Sequence, residues 1–235
     1  MTNRLEIKSA SKVFKKKIAL HPFSLKVAAG ECIALCGGNG AGKSTLLHIL
    51  AGISSPGEGT VIIEDVDLLK NRKRYVSLIG YMPDEFYAQE TLTVQEFLCF
   101  YGSFRNIPQT RIMEVIRILG LEEKKHEMVK HLSKGMRQRL LFGQAWAATP
   151  AVLILDEPTN GLDPYWIDVF ITLLKDIKNS GSTIIFSTHM MDVASEVADR
   201  VLFMEDGKLV TMLKNDHINT NKFMVDLLHL YRKQQ

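Results

Sequence analysis

The chain has 235 residues, 46% hydrophobic and 23% charged, with 29 lysines and arginines against 26 aspartates and glutamates and a formal net charge of +3. That balance belongs to an ordinary folded protein with room for a sizeable core, in one domain or in a domain with an inserted lobe. The charge is too small to imply nucleic acid, and the basic clusters (Lys15, Lys16, Lys17; Arg72, Lys73, Arg74; Lys124, Lys125) are short and scattered, as on solvated faces.

The first residues, Met1-Thr2-Asn3-Arg4-Leu5-Glu6, contain no apolar stretch of the kind a secretory leader needs, so none is expected. Nowhere does the chain offer the roughly 20 apolar residues of a membrane span. Work at a membrane would need spans from another chain. Residues 5–14 and 18–27 read as strands, the first partly alternating at Leu5, Ile7 and Ser9. Ala28-Ala29-Gly30 then turns into Ile33-Ala34-Leu35-Cys36, an apolar run that reads as a buried strand. Cys32 and Cys36 suit its packing. Without a second cysteine pair or a well-spaced histidine they make a poor zinc site, and with Cys99 they fit a reducing cytosol.

The next stretch carries the strongest signal. Gly37-Gly38-Asn39-Gly40-Ala41-Gly42-Lys43-Ser44-Thr45 fits the phosphate-loop pattern G-x-x-x-x-G-K-[ST]. Glycines let the backbone curl so that several N–H groups point inward as an anion nest. A helix opening near Lys43, with Leu46, Leu47, Ile49 and Leu50 on its buried face, adds its positive end. Lys43 is placed to reach β- and γ-phosphates, and the Ser44 hydroxyl to hold Mg²⁺.

Residues 52–59 are loop punctuation, residues 60–63 a strand, and residues 76–82 an apolar segment read as a strand halted by Pro83. Thr93-Val94-Gln95-Glu96 is a capping box opening a helix to about Tyr101. Ile112, Val115, Ile116 and Leu119 recur at helical spacing, with Gly120 placed to stop that helix. A third helix is expected from Ser133 to about Ala148, so residues 83–149 read as a helical lobe inserted between strand-bearing parts. Ser133 and Gly135 at its start make a second potential anion site, though alone they amount to an N-cap.

Ala151-Val152-Leu153-Ile154-Leu155 is a continuous apolar strand that ends in Asp156-Glu157-Pro158. Mg²⁺ wants hard oxygen ligands, and a strand-end Asp156 is well placed to supply one. Glu157 points the opposite way and is free to face an attacking water. A helix begins at Pro164, buries Phe170, Leu173, Leu174 and Ile177, and ends at Gly181. Residues 183–188 form another central strand, leaving His189 at the same sheet edge as Asp156, where it can sense a γ-phosphate. A short helix over 191–198, a strand over 200–204, an Asp206-Gly207 hairpin turn and a strand over 209–211 follow. Residues 219–231 could form an amphipathic helix with Phe223, Leu227 and Leu230 inward, a packing element without chemistry of its own.

The order of these motifs resembles the ATPase subunits of ATP-binding-cassette (ABC) transporters along essentially all of residues 5–211. The resemblance rests on the phosphate loop, Leu132-Ser133-Lys134-Gly135-Met136, the Asp156-Glu157 strand end, Asn160-Gly161-Leu162-Asp163 and His189. It implies an α/β fold: a P-loop NTPase (RecA-like) core with an antiparallel β subdomain and an inserted α-helical subdomain. On that plan residues 1–82 and 150–211 form the ATPase lobe, residues 83–149 the helical lobe and residues 212–235 a helical tail. By matched position, Lys43 and the amides of Gly37, Gly38, Asn39, Gly40, Ala41, Gly42, Ser44 and Thr45 would hold ATP. Ser44 and Asp156 would serve Mg²⁺, Glu157 would be the general base and His189 the γ-phosphate contact. Phe14 would stack on adenine where the family usually has tyrosine, its alternative being a core aromatic on an edge strand. Ser133 and Gly135 would close over ATP held by a second copy, or by a related ATPase subunit, head to tail.

Two departures stand out. The family's usual glutamine after the strand over 76–82 is here Asp84, so either Asp84 takes the metal-sensing role or Gln89 does so from further along. The signature reads Ser-Lys-Gly-Met, which looks more like exporter-type systems than nutrient importers. The expected function is therefore an ATPase that drives export through a separate membrane permease, held at the inner face of the cell membrane. A helix of that permease would sit in the groove around residues 83–92. The rival readings are a soluble relative acting on nucleic acid or ribosomes and a nucleotide-binding subunit without catalysis. Nothing in the chain names a cargo.

Overall fold

The computed structural model describes residues 3–85 and 91–233. Gln89 lies outside them. Strand β1 (Asn3–Phe14) folds back on β2 (Lys17–Ala28) as an antiparallel hairpin and pairs on its other side with β4 (Glu58–Ile63), which pairs with the two-residue β5 (Val66–Asp67). The second sheet holds β3 (Cys32–Cys36), β6 (Ile79–Met82), β7 (Val152–Leu155), β8 (Thr183–Ser187), β9 (Arg200–Glu205) and β10 (Lys208–Lys214), in spatial order β10-β9-β3-β8-β7-β6. All of its pairs are parallel except β9–β10. That exception is closed by Asp206 (φ 45°) and Gly207 (φ 74°), two left-handed residues of a two-residue hairpin turn.

Period-two alternation decides what each face of the second sheet covers. Ile33, Leu35, Ile154 and Ile185 lie in one core, packed with Leu5 and Ile7 of β1 and with Leu46 and Leu47 of helix α1 (Lys43–Leu50). Cys32, Ala34, Leu153, Leu155 and Phe186 lie in the other, covered by helices. Burial on both faces is why these strands read as unbroken apolar runs. Each large side chain sealed this way contributes about 1.5–3 kcal/mol.

Helix α2 (Arg72–Ser77) corrects the reading of residues 76–82 as one strand, because only β6 is extended. The local apolar pattern loses to capping at both ends. The Asn71 side chain accepts the Arg74 N–H at 3.2 Å, and Arg105 donates to the carbonyls of Val76 and Ser77 at 2.8 and 2.7 Å. Tyr75, fully buried, pins the helix by donating its hydroxyl to the Leu50 carbonyl at 2.8 Å.

Between β6 and β7 run α3 (Val94–Ser103), α4 (Gln109–Ile118), two short 3-10 turns (Glu122–Lys124 and Val129–His131) and α5 (Lys134–Trp146). Thr93 and Glu96 form the expected capping box, Gly120 (φ 60°) follows α4, and Ser133 caps α5. These helices share one core with α6 (Pro164–Asn179), α7 (Met191–Val197) and α8 (Thr220–Lys233). Phe142 of α5 meets Phe170 of α6 edge-on with ring centres 5.0 Å apart. In α8 Leu227 is fully buried while Phe223 and Leu230 are half-buried. Because β3, β6, β7 and β8 are parallel, their C-terminal ends arrive at one edge, where ligands of open α/β sheets bind.

Candidate active site

At that edge the chain leaves β3 through a backbone that few side chains allow. Gly37, Gly40 and Gly42 have φ of 146°, 79° and 97°, and a Cβ on Gly42 would sit 2.8 Å from the Ala19 carbonyl. Helix α1 starts after Gly42 with no side-chain cap, so its first N–H groups stay available to an anion. Lys43 donates its ammonium to the carbonyls of Gly37 at 2.7 Å and Gly38 at 3.2 Å, folding the side chain over the loop.

The loop forms one wall of a cavity of about 540 Å³ that Asn39, Gly40, Ala41, Gly42, Lys43, Ser44 and Thr45 line. Asp84, Asp156 and Glu157 line the same cavity, as do Lys17, Ile18, Ala19 and His21 of β2 and Asp206. Phe14 is not among the lining residues. It stands at the end of β1, 51% exposed, with the Lys12 ammonium 5.2 Å from its ring centre. The alternative of a core aromatic on an edge strand is thereby corrected: β1 lies between β2 and β4, and the ring is open to solvent.

Asp156 is 3% exposed and accepts the Ser187 hydroxyl at 2.6 Å. The same oxygen of Ser187 accepts the Glu157 N–H at 2.8 Å, so one buried serine ties together the two carboxylate residues. Glu157 has φ 46°, a left-handed conformation that costs a non-glycine residue free energy and persists only when its surroundings impose it. Its carbonyl accepts from Gln138 Nε2 at 3.0 Å and from the Asn160 N–H at 3.2 Å. Its carboxylate lies 2.9 Å from His189 Nδ1, an imidazole 55% exposed. Asp84 is held in turn by Asn160 Nδ2 at 2.8 Å.

Ser133 and Gly135 are not brought to this cavity. The Ser133 hydroxyl accepts the Met136 N–H at 3.2 Å as a helix cap, and Gly135 packs so closely on the Gly161 carbonyl that a Cβ would come within 2.6 Å. Burial pushes the Cys36 thiol up to about 12 against the pull of Lys43, so it stays a protonated packing group beside the loop. Burial likewise raises the Tyr81 phenol, helped by Asp156 and Asp84. Ser187, Gln138, His21 and Asp206 escape a reading by motif. Only Ser187 leaves a trace, as the polar residue that follows the apolar run Ile184-Ile185-Phe186.

A phosphate loop opening a helix, with two strand-end carboxylates lining the same cavity, defines a nucleotide-binding hydrolase site of the P-loop class. Within that class the chain belongs to the ABC transporter family, whose model matches residues 20–160. It is similar to the uncharacterized ABC transporter ATP-binding protein YxlF of Bacillus subtilis (strain 168), 36% identical over 209 residues that span 87% of this chain and 69% of the relative. The arginine transport ATP-binding protein ArtM of the same organism is 32% identical across 88% of this chain and 89% of its own. The Nod factor export ATP-binding protein I of Rhizobium meliloti (strain 1021) is 32% identical across 98% and 70%. Among solved structures, an ATP-binding subunit of an ABC transporter superposes with a TM-score of 0.86 at 28% identity, over 97% of this chain and 98% of that one. The dimeric, post-hydrolysis cassette MJ0796 bound to ADP and Pi superposes at 0.80 and 26%, over 89% and 98%. The chain is thus an ATP-binding, ATP-hydrolysing subunit of an ABC transporter with a P-loop NTPase fold. Among the described residues no helix is long and apolar enough to cross a membrane.

Proposed function

We propose that this subunit hydrolyses Mg²⁺-ATP as a head-to-tail dimer and so powers export through a separate integral membrane permease, on whose cytoplasmic face it sits. The pairing at 2.9 Å of His189 with the Glu157 carboxylate, beside the phosphate loop, carries the reading. Glu157 would take the proton of an attacking water, and His189 would orient that carboxylate and contact the γ-phosphate. Lys43 and the amides of Gly37 through Thr45 would hold the phosphates, while Phe14 would stack on adenine. Mg²⁺, when bound, neutralises phosphate charge. The hard oxygens of Ser44, Asp156 and Asp84 line the same cavity and fit it. The division into an ATPase lobe (1–82 and 150–211), a helical lobe (83–149) and a tail is part of this proposal, with the expected tail boundary at 212 corrected: residues 212–214 complete β10 against β9, and the helix begins only at Thr220.

The dimer is supported by the position of Ser133 and Gly135, outside the chain's own cavity, and by the dimeric form of MJ0796. A second identical copy, or a related ATPase subunit, would bring its own nucleotide to that helix tip. Export is supported by the Ser133-Lys134-Gly135-Met136 sequence and by the likeness to a Nod factor export protein. In the test, Glu157→Gln loses phosphate release and accumulates as an ATP-bound dimer on size exclusion. A variant that hydrolyses at the wild-type rate removes Glu157 as base. Copurification with nucleic acid and no membrane protein would overturn the transporter assignment.

A further inference from the structure

The base residue sits in a backbone conformation that its own sequence does not favour, and four contacts hold it there. Its N–H goes to Ser187 Oγ, its carboxylate to His189 and its carbonyl to both the Asn160 N–H and Gln138 Nε2. Three of these partners lie on β8, on the residue two beyond its end, or in the loop that Glu157 itself begins. Gln138 alone comes from the helical insertion. It lies on α5, the helix that Ser133 caps, five positions after that serine, which places it about 7 Å along the axis from the helix tip.

Gln138 is 5% exposed, so its amide is spent on this contact and not on water. A buried amide N–H aimed at a carbonyl fixes distance and direction together, and a displacement of α5 by an ångström would lengthen the 3.0 Å bond past useful geometry. Ser187 fixes the peptide before Glu157 through its N–H and Gln138 fixes the peptide after it through its carbonyl, so the two contacts together hold the left-handed backbone (φ 46°) that carries the carboxylate.

We infer that Gln138 is a positioning residue for hydrolysis: by holding the Glu157 carbonyl it registers the general base against the helix whose tip meets the second nucleotide. Seating of that tip thereby sets the alignment of the base in the same chain. The inference rests on Glu157 being the base. It assigns a role to a residue outside both the phosphate loop and the helix tip.

The test compares full-length wild type with Gln138→Met, which keeps length and burial but has no donor, and Gln138→Glu, which keeps shape and turns the donor into an acceptor. Phosphate release from Mg²⁺-ATP gives kcat and KM, and a fluorescent ATP analogue gives nucleotide affinity. Both variants lose about tenfold in kcat, the rate equivalent of one lost hydrogen bond, with KM and affinity within about twofold. Added to Glu157→Gln, Gln138→Met changes the residual rate by less than about twofold, because its effect passes through the missing base. Wild-type kcat in either folded variant overturns the inference, as does a loss carried by KM or one that multiplies fully onto Glu157→Gln. If Gln138→Met does not fold, Gln138→Glu gives the same readings. Activity retained by Glu157→Gln sinks the base assignment, whereas a silent Gln138→Met beside an inactive Glu157→Gln sinks only the positioning role.

Discussion

Ser187→Ala removes one oxygen and breaks two contacts at the centre of the site. Ser187 is fully buried, donates to Asp156 at 2.6 Å and accepts from the Glu157 N–H at 2.8 Å. A hydrogen bond to a charged carboxylate contributes about 1.5–3 kcal/mol, and a buried N–H left without a partner costs about 1–3 kcal/mol. The methyl group that remains adds no cavity large enough for water, so little is recovered by solvation. The two terms are not independent, since both act through one atom, and the expected loss is about 2–5 kcal/mol. Against a typical total of about 5–15 kcal/mol that is a large fraction. Urea unfolding followed by far-UV circular dichroism reads it as a shift of the midpoint at unchanged slope. Ser187→Thr keeps the oxygen and suits a strand, and its extra methyl in this fully buried place costs about 1–3 kcal/mol while both hydrogen bonds remain. A Ser187→Ala loss below about 1 kcal/mol would refute the argument, because the Glu157 peptide would then be held without the serine.

Gly37→Ala places a methyl group against the Met204 carbonyl at a φ of 146° and abolishes ATP-analogue binding, whereas Gly38→Ala, whose Cβ would meet nothing within 4 Å, still folds with an unchanged melting temperature. Equal melting temperatures for the two variants would contradict this. Asp199 supplies the pH dependence. Burial works to raise its pKa, but the Lys178 ammonium, the Cys32 N–H and His217 outweigh it and hold the carboxyl below its usual value of 3.8. A depressed folded-state pKa means stability fully present above the unfolded value and lost as pH falls through the folded one. Asp199→Asn therefore lowers the urea midpoint at pH 7, with the gap to wild type closing below about pH 4 as the wild-type carboxyl protonates. A constant gap across that range would place the stabilisation elsewhere.

What was legible in the sequence shares a physical property: cause and consequence lie within a few residues. The phosphate loop, the Thr93–Glu96 box, the helix start at Pro164 and the Asp206-Gly207 turn are local devices. The buried parallel strands announce themselves because both faces are covered, so each residue of the run is apolar. Helix α2 was misread because the groups that close its C-terminal end come from Arg105, 28 and 29 residues further along the chain. Local pattern favoured a strand, and a distant guanidinium over the carbonyls of Val76, Ser77 and Ile79 decided otherwise.

The site divides along the same line. The residues proposed to meet phosphate carry a motif, because one anion demands a fixed local geometry. The residues that bond to the carboxylate positions carry none: Gln138 reaches Glu157 from 19 positions away, Ser187 reaches Asp156 from 31, and Asn160 reaches Asp84 from 76. Each is an ordinary polar residue whose role exists only once the parallel strands bring their C-terminal ends to one edge. Asp84 shows the consequence. On sequence alone Asp84 simply stands where the family usually has glutamine, whereas in the fold Asn160 Nδ2 holds one of its oxygens at 2.8 Å and joins it to the loop that also carries the Glu157 carbonyl contact. The substitution is thus built into the hydrogen-bond chain that runs from Asp84 through Asn160 to Glu157 and on to α5. Its links are direct hydrogen bonds of 2.8, 3.2 and 3.0 Å.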